Sequence, residues 1–143
     1  MRHGTTLLEL LLVILVTGLV AAAALPATLA VRDRLATTEA ATLVAAAHTR
    51  ARVAAVAEQR VAVLTLTADS LVLRVVEAPG DTTERWRERG PATARVTVRG
   101  FPRAITYAPS GVAFGFANGT YEFGRGSAVR RVIVSRYGRV RQE

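Results

Sequence analysis

Uncharged and mostly apolar residues run without interruption from Leu10 to Val31, and Leu, Val, Ile and Ala make up most of the run. As a helix, these 22 residues measure roughly 33 Å, enough to cross a hydrocarbon core of about 30 Å. A single acid, Glu9, stands at the start of the run. Because an ionised carboxylate is costly in a bilayer, Glu9 is a functional candidate. The pattern predicts a membrane-spanning helix.

Beyond Val31, apolar residues recur at helical spacing and charged residues fill the other side of the helix. Residues 21–62 contain seventeen alanines and no aromatic residue, and alanine is the best helix former. Pro26 is the main helix breaker in this stretch and is expected to kink the helix. We expect the helix to continue through residues 32–60. Its predicted core face contains Leu35, Leu43, Ala46, Ala47 and Ala54.

After Arg60 the apolar period changes from helical to two, which is typical of strands. Residues 61–67 and 71–76 flank a short turn and predict a hairpin. Turn residues separate five further predicted strands. These are residues 95–99, 104–107, 112–116, 120–123 and 129–135. The charged stretch 79–91 is predicted to be a loop. One long helix followed by seven strands predicts an α+β fold with an antiparallel β-sheet head over residues 61–143.

The chain is poorly supplied with residues for catalysis or metal binding. It has no cysteine and no lysine, and its only histidines are His3 and His48. Disulfides, thiolate metal sites, Schiff bases and histidine-based catalysis therefore have little support. We expect no enzyme, no cofactor and no bound metal. His48 has no evident partner on the predicted helix, so we expect it at the surface or in packing and assign it no role.

The basic residues give the chain a net charge of +8, which favours contact with anionic surfaces or polymers. Six arginines near the C-terminus face a single acid, Glu143. Candidate phosphate ligands among them are Arg130, Arg131, Arg136, Arg139 and Arg141, because forked guanidinium groups suit phosphate oxygens. On an extended strand, Arg139 and Arg141 would share a face, and Gly138 would let the backbone approach a partner closely. Alternatively, these charges protect a strand edge against pairing with other sheets.

A second candidate contact is Trp86, which lies between two arginines. Tryptophan and arginine are enriched at the energetic centres of protein interfaces, so Trp86 could anchor a partner. The other interpretation is that its ring folds back onto the small core.

The N-terminus resembles the class III signal of type IV pilins and type II secretion pseudopilins. A short leader, Met1-Arg2-His3-Gly4, precedes Thr5-Thr6-Leu7-Leu8-Glu9-Leu10. The resemblance implies that a prepilin peptidase cuts between Gly4 and Thr5. Residue 5 departs from the family, which usually carries Phe at the site of N-methylation. Pro26 falls where many pilins have a kinking proline.

The resemblance also implies a domain organisation and a role for the acid. Residues 1–4 would be the leader, 5–31 the transmembrane and assembly segment, and 32–143 the periplasmic or extracellular head. In a filament, Glu9 would neutralise the amine of a neighbouring subunit's Thr5. Two alternative interpretations of Glu9 and its apolar segment remain open. Glu9 could lie at headgroup depth and face water, or the segment could be a plain N-terminal anchor with a chance acid.

The remainder of the chain resembles the GspH/FimT family of minor pseudopilins and pilins. The matching runs are residues 105–111, Ile-Thr-Tyr-Ala-Pro-Ser-Gly, and residues 130–141, Arg-Arg-Val-Ile-Val-Ser-Arg-Tyr-Gly-Arg-Val-Arg. This implies a minor structural subunit of a type II secretion pseudopilus or type IV pilus, held in the bacterial inner membrane beside other pilins. The alternative is a FimT-like pilin that binds double-stranded DNA for natural transformation, since Gly138 to Arg141 resembles that group's Gly-Arg-x-Arg motif.

Overall fold

A computed structural model describes residues 6–101, 103–114 and 118–143. The predicted cleavage residues Gly4 and Thr5, and the end of the strand predicted at 112–116, lie outside the described residues. The chain divides into two compact units, Met1–Arg32 and Asp33–Glu143.

One helix, α1, runs from Leu7 to Glu58 and is 52 residues long. It continues through Pro26 and ends two residues before the predicted end at Arg60. Gln59 follows in the left-handed region with φ of 52°. The Arg60 N–H then donates to the Ala55 carbonyl at 3.2 Å, and the Gln59 N–H to the Val56 carbonyl at 3.4 Å. This is the Schellman arrangement, in which two otherwise unpaired carbonyls at a helix end find donors.

The buried face of α1 consists mostly of small residues and differs from the predicted core face. Leu35 is 65% exposed, Ala46 is also exposed, and Leu43 and Ala54 are only half-buried. Of the predicted positions, Ala47 alone is fully buried. Small side chains let the helix backbone lie close to the strands. The positions of the larger aliphatic residues therefore did not identify the buried face of the helix. The buried residues are Ala36, Thr37, Ala40, Ala41, Val44, Ala45, Ala47, His48, Ala51 and Ala55.

Nine strands follow the helix in the part of the chain that the structure describes. They are β1 Ala62–Leu66, β2 Ser70–Ala78, β3 Asp81–Arg89, β4 Thr97–Arg99, β5 Arg103–Tyr107, β6 Ala113–Phe114, β7 Gly119–Arg125, β8 Ala128–Val134 and β9 Val140–Gln142. A short 3-10 helix, Pro91–Ala94, precedes β4. The strands form one sheet in the order β3-β2-β1-β5-β6 and another in the order β4-β7-β8-β9. Neighbouring strands are antiparallel throughout.

The predicted α+β class with antiparallel sheets is therefore confirmed, but three details of the prediction were wrong. The head has two sheets rather than one, and β9 was not predicted as a strand. The stretch predicted as a charged loop contains β3, which pairs with β2 along its whole length. The sequence pattern does not identify β3 as a strand, because β3 lies at a sheet edge, where charged side chains can face water on both sides.

The core lies between α1 and the inner faces of both sheets. β1 shows the alternation clearly, because Ala62, Leu64 and Leu66 are fully buried. Across from it, Phe101 contacts Tyr121 edge-to-face with ring centroids 5.2 Å apart. Each fully buried large apolar side chain stabilises the fold by roughly 1.5–3 kcal/mol.

Candidate functional site

The start of α1 places Glu9 in the first helical turn, with Thr6 as its cap. The Glu9 N–H donates to the Thr6 hydroxyl oxygen at 3.3 Å, and the Leu10 N–H donates to the Thr6 carbonyl at 3.2 Å. Thr6-Leu7-Leu8-Glu9 has the Thr-x-x-Glu spacing of a capping box. An acid here also opposes the positive end of the helix dipole. The sequence contained this signal, but the prediction treated Glu9 as an assembly residue or as an acid at headgroup depth and did not consider helix capping.

The apolar surface that follows Glu9 is exposed along its length. Leu15 and Leu19 are each at least 70% exposed. The most apolar window of α1 is long and apolar enough to cross a membrane, and none of it is buried. Two threonines in this segment satisfy their hydroxyls within the helix: Thr17 donates to the Val13 carbonyl at 2.6 Å and Thr28 to the Leu25 carbonyl at 2.8 Å. Internal satisfaction of polar groups is what a hydrocarbon environment requires.

The C-terminal arginines do not form a single positive surface. Arg131 binds the Glu122 carboxylate with Nε at 2.9 Å, and Arg99 reaches the other oxygen of Glu122 at 3.6 Å. Arg141 lies 3.5 Å from Glu143. These side chains come from β4, β7, β8 and β9 and from Glu143, which directly follows β9, so acids and arginines alternate across the outer face of the second sheet. The alternative interpretation, in which these charges protect a strand edge against pairing with other sheets, stays a prediction.

Three other candidate arginines form no ion pair with any residue that the structure describes: Arg130, Arg136 and Arg139. All three are exposed. The last two flank the turn that joins β8 to β9, where the Arg136 N–H donates to the Asn118 side-chain oxygen at 2.6 Å. The Gly138 N–H donates to the Ser135 carbonyl at 2.9 Å. The turn is thus held by its backbone, while its guanidinium groups face solvent beside Tyr137, which is 76% exposed.

Arg125, the sixth arginine of the C-terminal group, has a structural role. Its Nε lies 2.9 Å from the Asp33 carboxylate on α1, and its terminal nitrogen donates to the Ala94 carbonyl at 2.9 Å. It therefore ties the second sheet to the helix.

Trp86 packs against the core, in agreement with the second of its two interpretations. Its ring is half-buried against the core cluster. The guanidinium carbon of Arg50, on α1, lies 4.6 Å from the ring centroid. This cation–π contact covers the ring from outside. β3 is fixed further by Arg85, which binds Glu58 at 2.9 Å and Glu77 at 2.7 Å.

His48 is buried in the head together with the titratable side chains of Tyr107 and Tyr121. Its Nδ1 lies 2.7 Å from the Tyr107 hydroxyl, and its ring centroid is 5.4 Å from that of Tyr121. Burial, and then the positive charge of Arg103, lower the pKa of His48 to about 4. Burial raises the pKa of Tyr107 to about 12. Because the His48 side chain is 1% exposed, a substrate could not reach it, and its contacts place it in the core.

Comparisons with known proteins support the fold. The chain matches no protein-family model and no curated protein sequence. It is similar to two crystal structures of the type IV minor pilin FimU from Pseudomonas aeruginosa, determined in different space groups. In one, the match has a TM-score of 0.62 at 20% identity and covers 75% of this chain and 87% of FimU. In the other, the TM-score is 0.60 at 20% identity, with 74% and 91% covered. The protein has a pilin-like fold.

Proposed function

We propose that the protein is a minor pilin-like structural subunit of a type II secretion pseudopilus or a type IV pilus. The observation that carries this proposal is the exposed apolar first part of α1 followed by a head with the FimU fold. In this proposal the apolar segment lies in the bacterial inner membrane as a single span, and the head lies in the periplasm or along the filament. The subunit supports filament assembly and protein secretion.

The N-terminal residues supply the assembly chemistry of this proposal. A prepilin peptidase cuts between Gly4 and Thr5 and leaves a free amine on Thr5. Glu9 of one subunit then neutralises the amine of its neighbour while their apolar helices pack together. An unpaired charge in such a low-dielectric environment costs several kcal/mol. Correct pairing therefore discriminates strongly against misassembly.

Glu9→Gln tests this role cleanly, because glutamine preserves the capping spacing with Thr6 and removes only the charge. We expect membrane insertion to remain normal, since the segment becomes more apolar. Incorporation of the subunit into sheared filaments or the assembly complex should fall, because the neighbour's amine loses its counter-charge. Glu39→Gln, which neutralises an exposed acid elsewhere on α1, is the matched control. Normal incorporation of the Glu9 variant would show that this acid serves only the helix start.

A second candidate function is binding of extracellular double-stranded DNA for uptake, as in FimT-like pilins. The observation that favours it is the set of three exposed arginines, Arg130, Arg136 and Arg139, without acid partners among the described residues. Arg131 and Arg141 contribute less in this proposal, because Glu122 and Glu143 already partly neutralise them.

A further inference from the structure

A groove of about 310 Å³ runs between the last turns of α1 and the turn that joins β8 to β9. Its floor is formed by Val53, Val56 and Ala57, and Thr49, Arg52 and Gly138 complete the lining. Val53 is 59% exposed and Val56 is 43% exposed. They lie on the side of α1 opposite the buried alanines. An apolar floor that is open to solvent is suited to a protruding apolar side chain of a partner.

Arg52 is held at the edge of this groove by two glycine turns. Gly111 and Gly138 have φ of 77° and 73°, a conformation that favours glycine. A Cβ atom on Gly138 would lie 2.9 Å from Arg52 Cδ, and one on Gly111 would lie 3.1 Å from Arg52 Nε. The two turns are joined because the Ala113 N–H donates to the Arg136 carbonyl at 3.0 Å. The stem of Arg52 is therefore packed against two separate loops.

The guanidinium of Arg52 nevertheless forms no ion pair within the described parts of the chain. None of the residues that line the groove is acidic. Two other arginines that are fixed in place in the head have carboxylate partners: Arg125 has Asp33 and Arg85 has Glu58. A positioned arginine with free donors has already lost much of the entropy that binding an anion would cost.

We propose that this groove binds an acidic polypeptide segment that places a carboxylate on Arg52 and an aliphatic side chain over Val53 and Val56. The apolar floor favours a polypeptide over a DNA backbone, because phosphodiesters carry no aliphatic group to cover it. The net charge of +8 favours an acidic partner over a second copy of this chain. This inference goes beyond the filament function, since it assigns a specific recognition surface to the head.

The test uses the full chain in phosphatidylcholine nanodiscs, because detergent would occupy an apolar groove. The probe is a short fluorescent peptide in which glutamates alternate with leucines, and binding is followed by anisotropy. Arg52→Met retains the packed stem and removes the charge. It should weaken binding about tenfold or more, since a charge-assisted hydrogen bond is lost. Arg34→Met removes a charge at an exposed position on the same helix, and Arg34 does not line the groove. This variant should therefore change the affinity less than twofold. Unchanged Trp86 fluorescence and unfolding midpoints verify that the variants are folded.

The apolar half of the groove is tested separately with Val56→Asn and with a peptide in which glycines replace the leucines. Each change should weaken binding, because apolar burial is lost. The proposal is overturned if the peptide does not bind, or if the Arg52 and Arg34 variants weaken it equally. It is also overturned if a DNA duplex binds in an Arg52-dependent way while the peptide does not. A peptide that acts only by competing with self-association of the chain would overturn it as well.

Discussion

At the residue scale, His48 shows how a single buried side chain connects the helix to the sheets. Its ring lies between Tyr107 of the first sheet and Tyr121 of the second. Neither His48 Nε2 nor the Tyr121 hydroxyl oxygen has a hydrogen-bond partner among the described residues. The environment thus strongly favours the neutral imidazole.

The head should lose stability as the pH falls from about 6.5 towards 4. Over that range the unfolded chain takes up a proton on His48 that the folded head excludes, because the folded pKa is about 4 against 6.5. The stability that neutral His48 preserves is fully present at pH values above the pKa of 6.5 in the unfolded chain. Its loss reaches about 3 kcal/mol near the folded-state pKa of about 4. At pH 5 we expect a loss of about 2 kcal/mol. Urea unfolding followed by the fluorescence of Trp86, the only tryptophan, measures it.

His48→Gln is the control for that measurement, because glutamine does not titrate. Between pH 7 and 5 most carboxylates remain ionised, so the variant's unfolding free energy should be nearly flat there. Equal slopes for the wild type and the variant would show that another group is responsible.

The sequence contained the information needed to place His48, but the wrong helix face was chosen. Thr37, Ala41, Val44, His48 and Ala55 recur at helical spacing and are all buried. The prediction instead followed the large aliphatic residues Leu35 and Leu43. Side-chain size misleads where a helix lies close to a sheet, because mostly small residues fit at the contact.

At the element scale, the charged strands were harder to predict than the apolar ones. The predicted hairpin of β1 and β2 is confirmed. It could be predicted because one face of β1 is strictly apolar. β3 carries charges on both faces, so no period-two pattern marks it. β9 has three residues and pairs only through its contact with β8, which the local sequence does not encode.

The second sheet and the turn that joins β8 to β9 allow a matched test of the DNA-binding candidate. Arg136→Ala with Arg139→Ala removes two unpaired charges, and Arg131→Ala with Arg141→Ala removes two that face acids. If about three phosphates are contacted, the slope of log K against log salt should be about −2.7 for the wild type. The first pair should bring it to about −0.9, and the second should change it little. Salt titrations of duplex binding by the full chain measure the slopes.

Equal effects of the two double substitutions would mean that DNA binding depends only on the net charge of the protein and that no defined site exists. If the wild type fails to bind duplex DNA at low salt, these arginines serve only to protect the sheet edge.

At the scale of the whole molecule, the sequence predicted the α+β class and the order of helix and strands. The long uncharged run and the change of period after Arg60 carried that prediction. It did not predict two sheets, because the separation of β5 from β7 depends on which strands pair across the core. It also missed the groove beside Arg52, since Gly111 and Gly138 meet there from turns that are distant in sequence.

The most direct test of the proposed filament function is the intact mass of the protein extracted from bacterial membranes. Cleavage by a prepilin peptidase predicts a chain that begins at Thr5, so the mass should lack residues 1–4 while the apolar segment remains attached. A mature protein that still begins at Met1 would contradict the proposal. So would one that is cut after the apolar run near Ala24, because the membrane helix would then be lost.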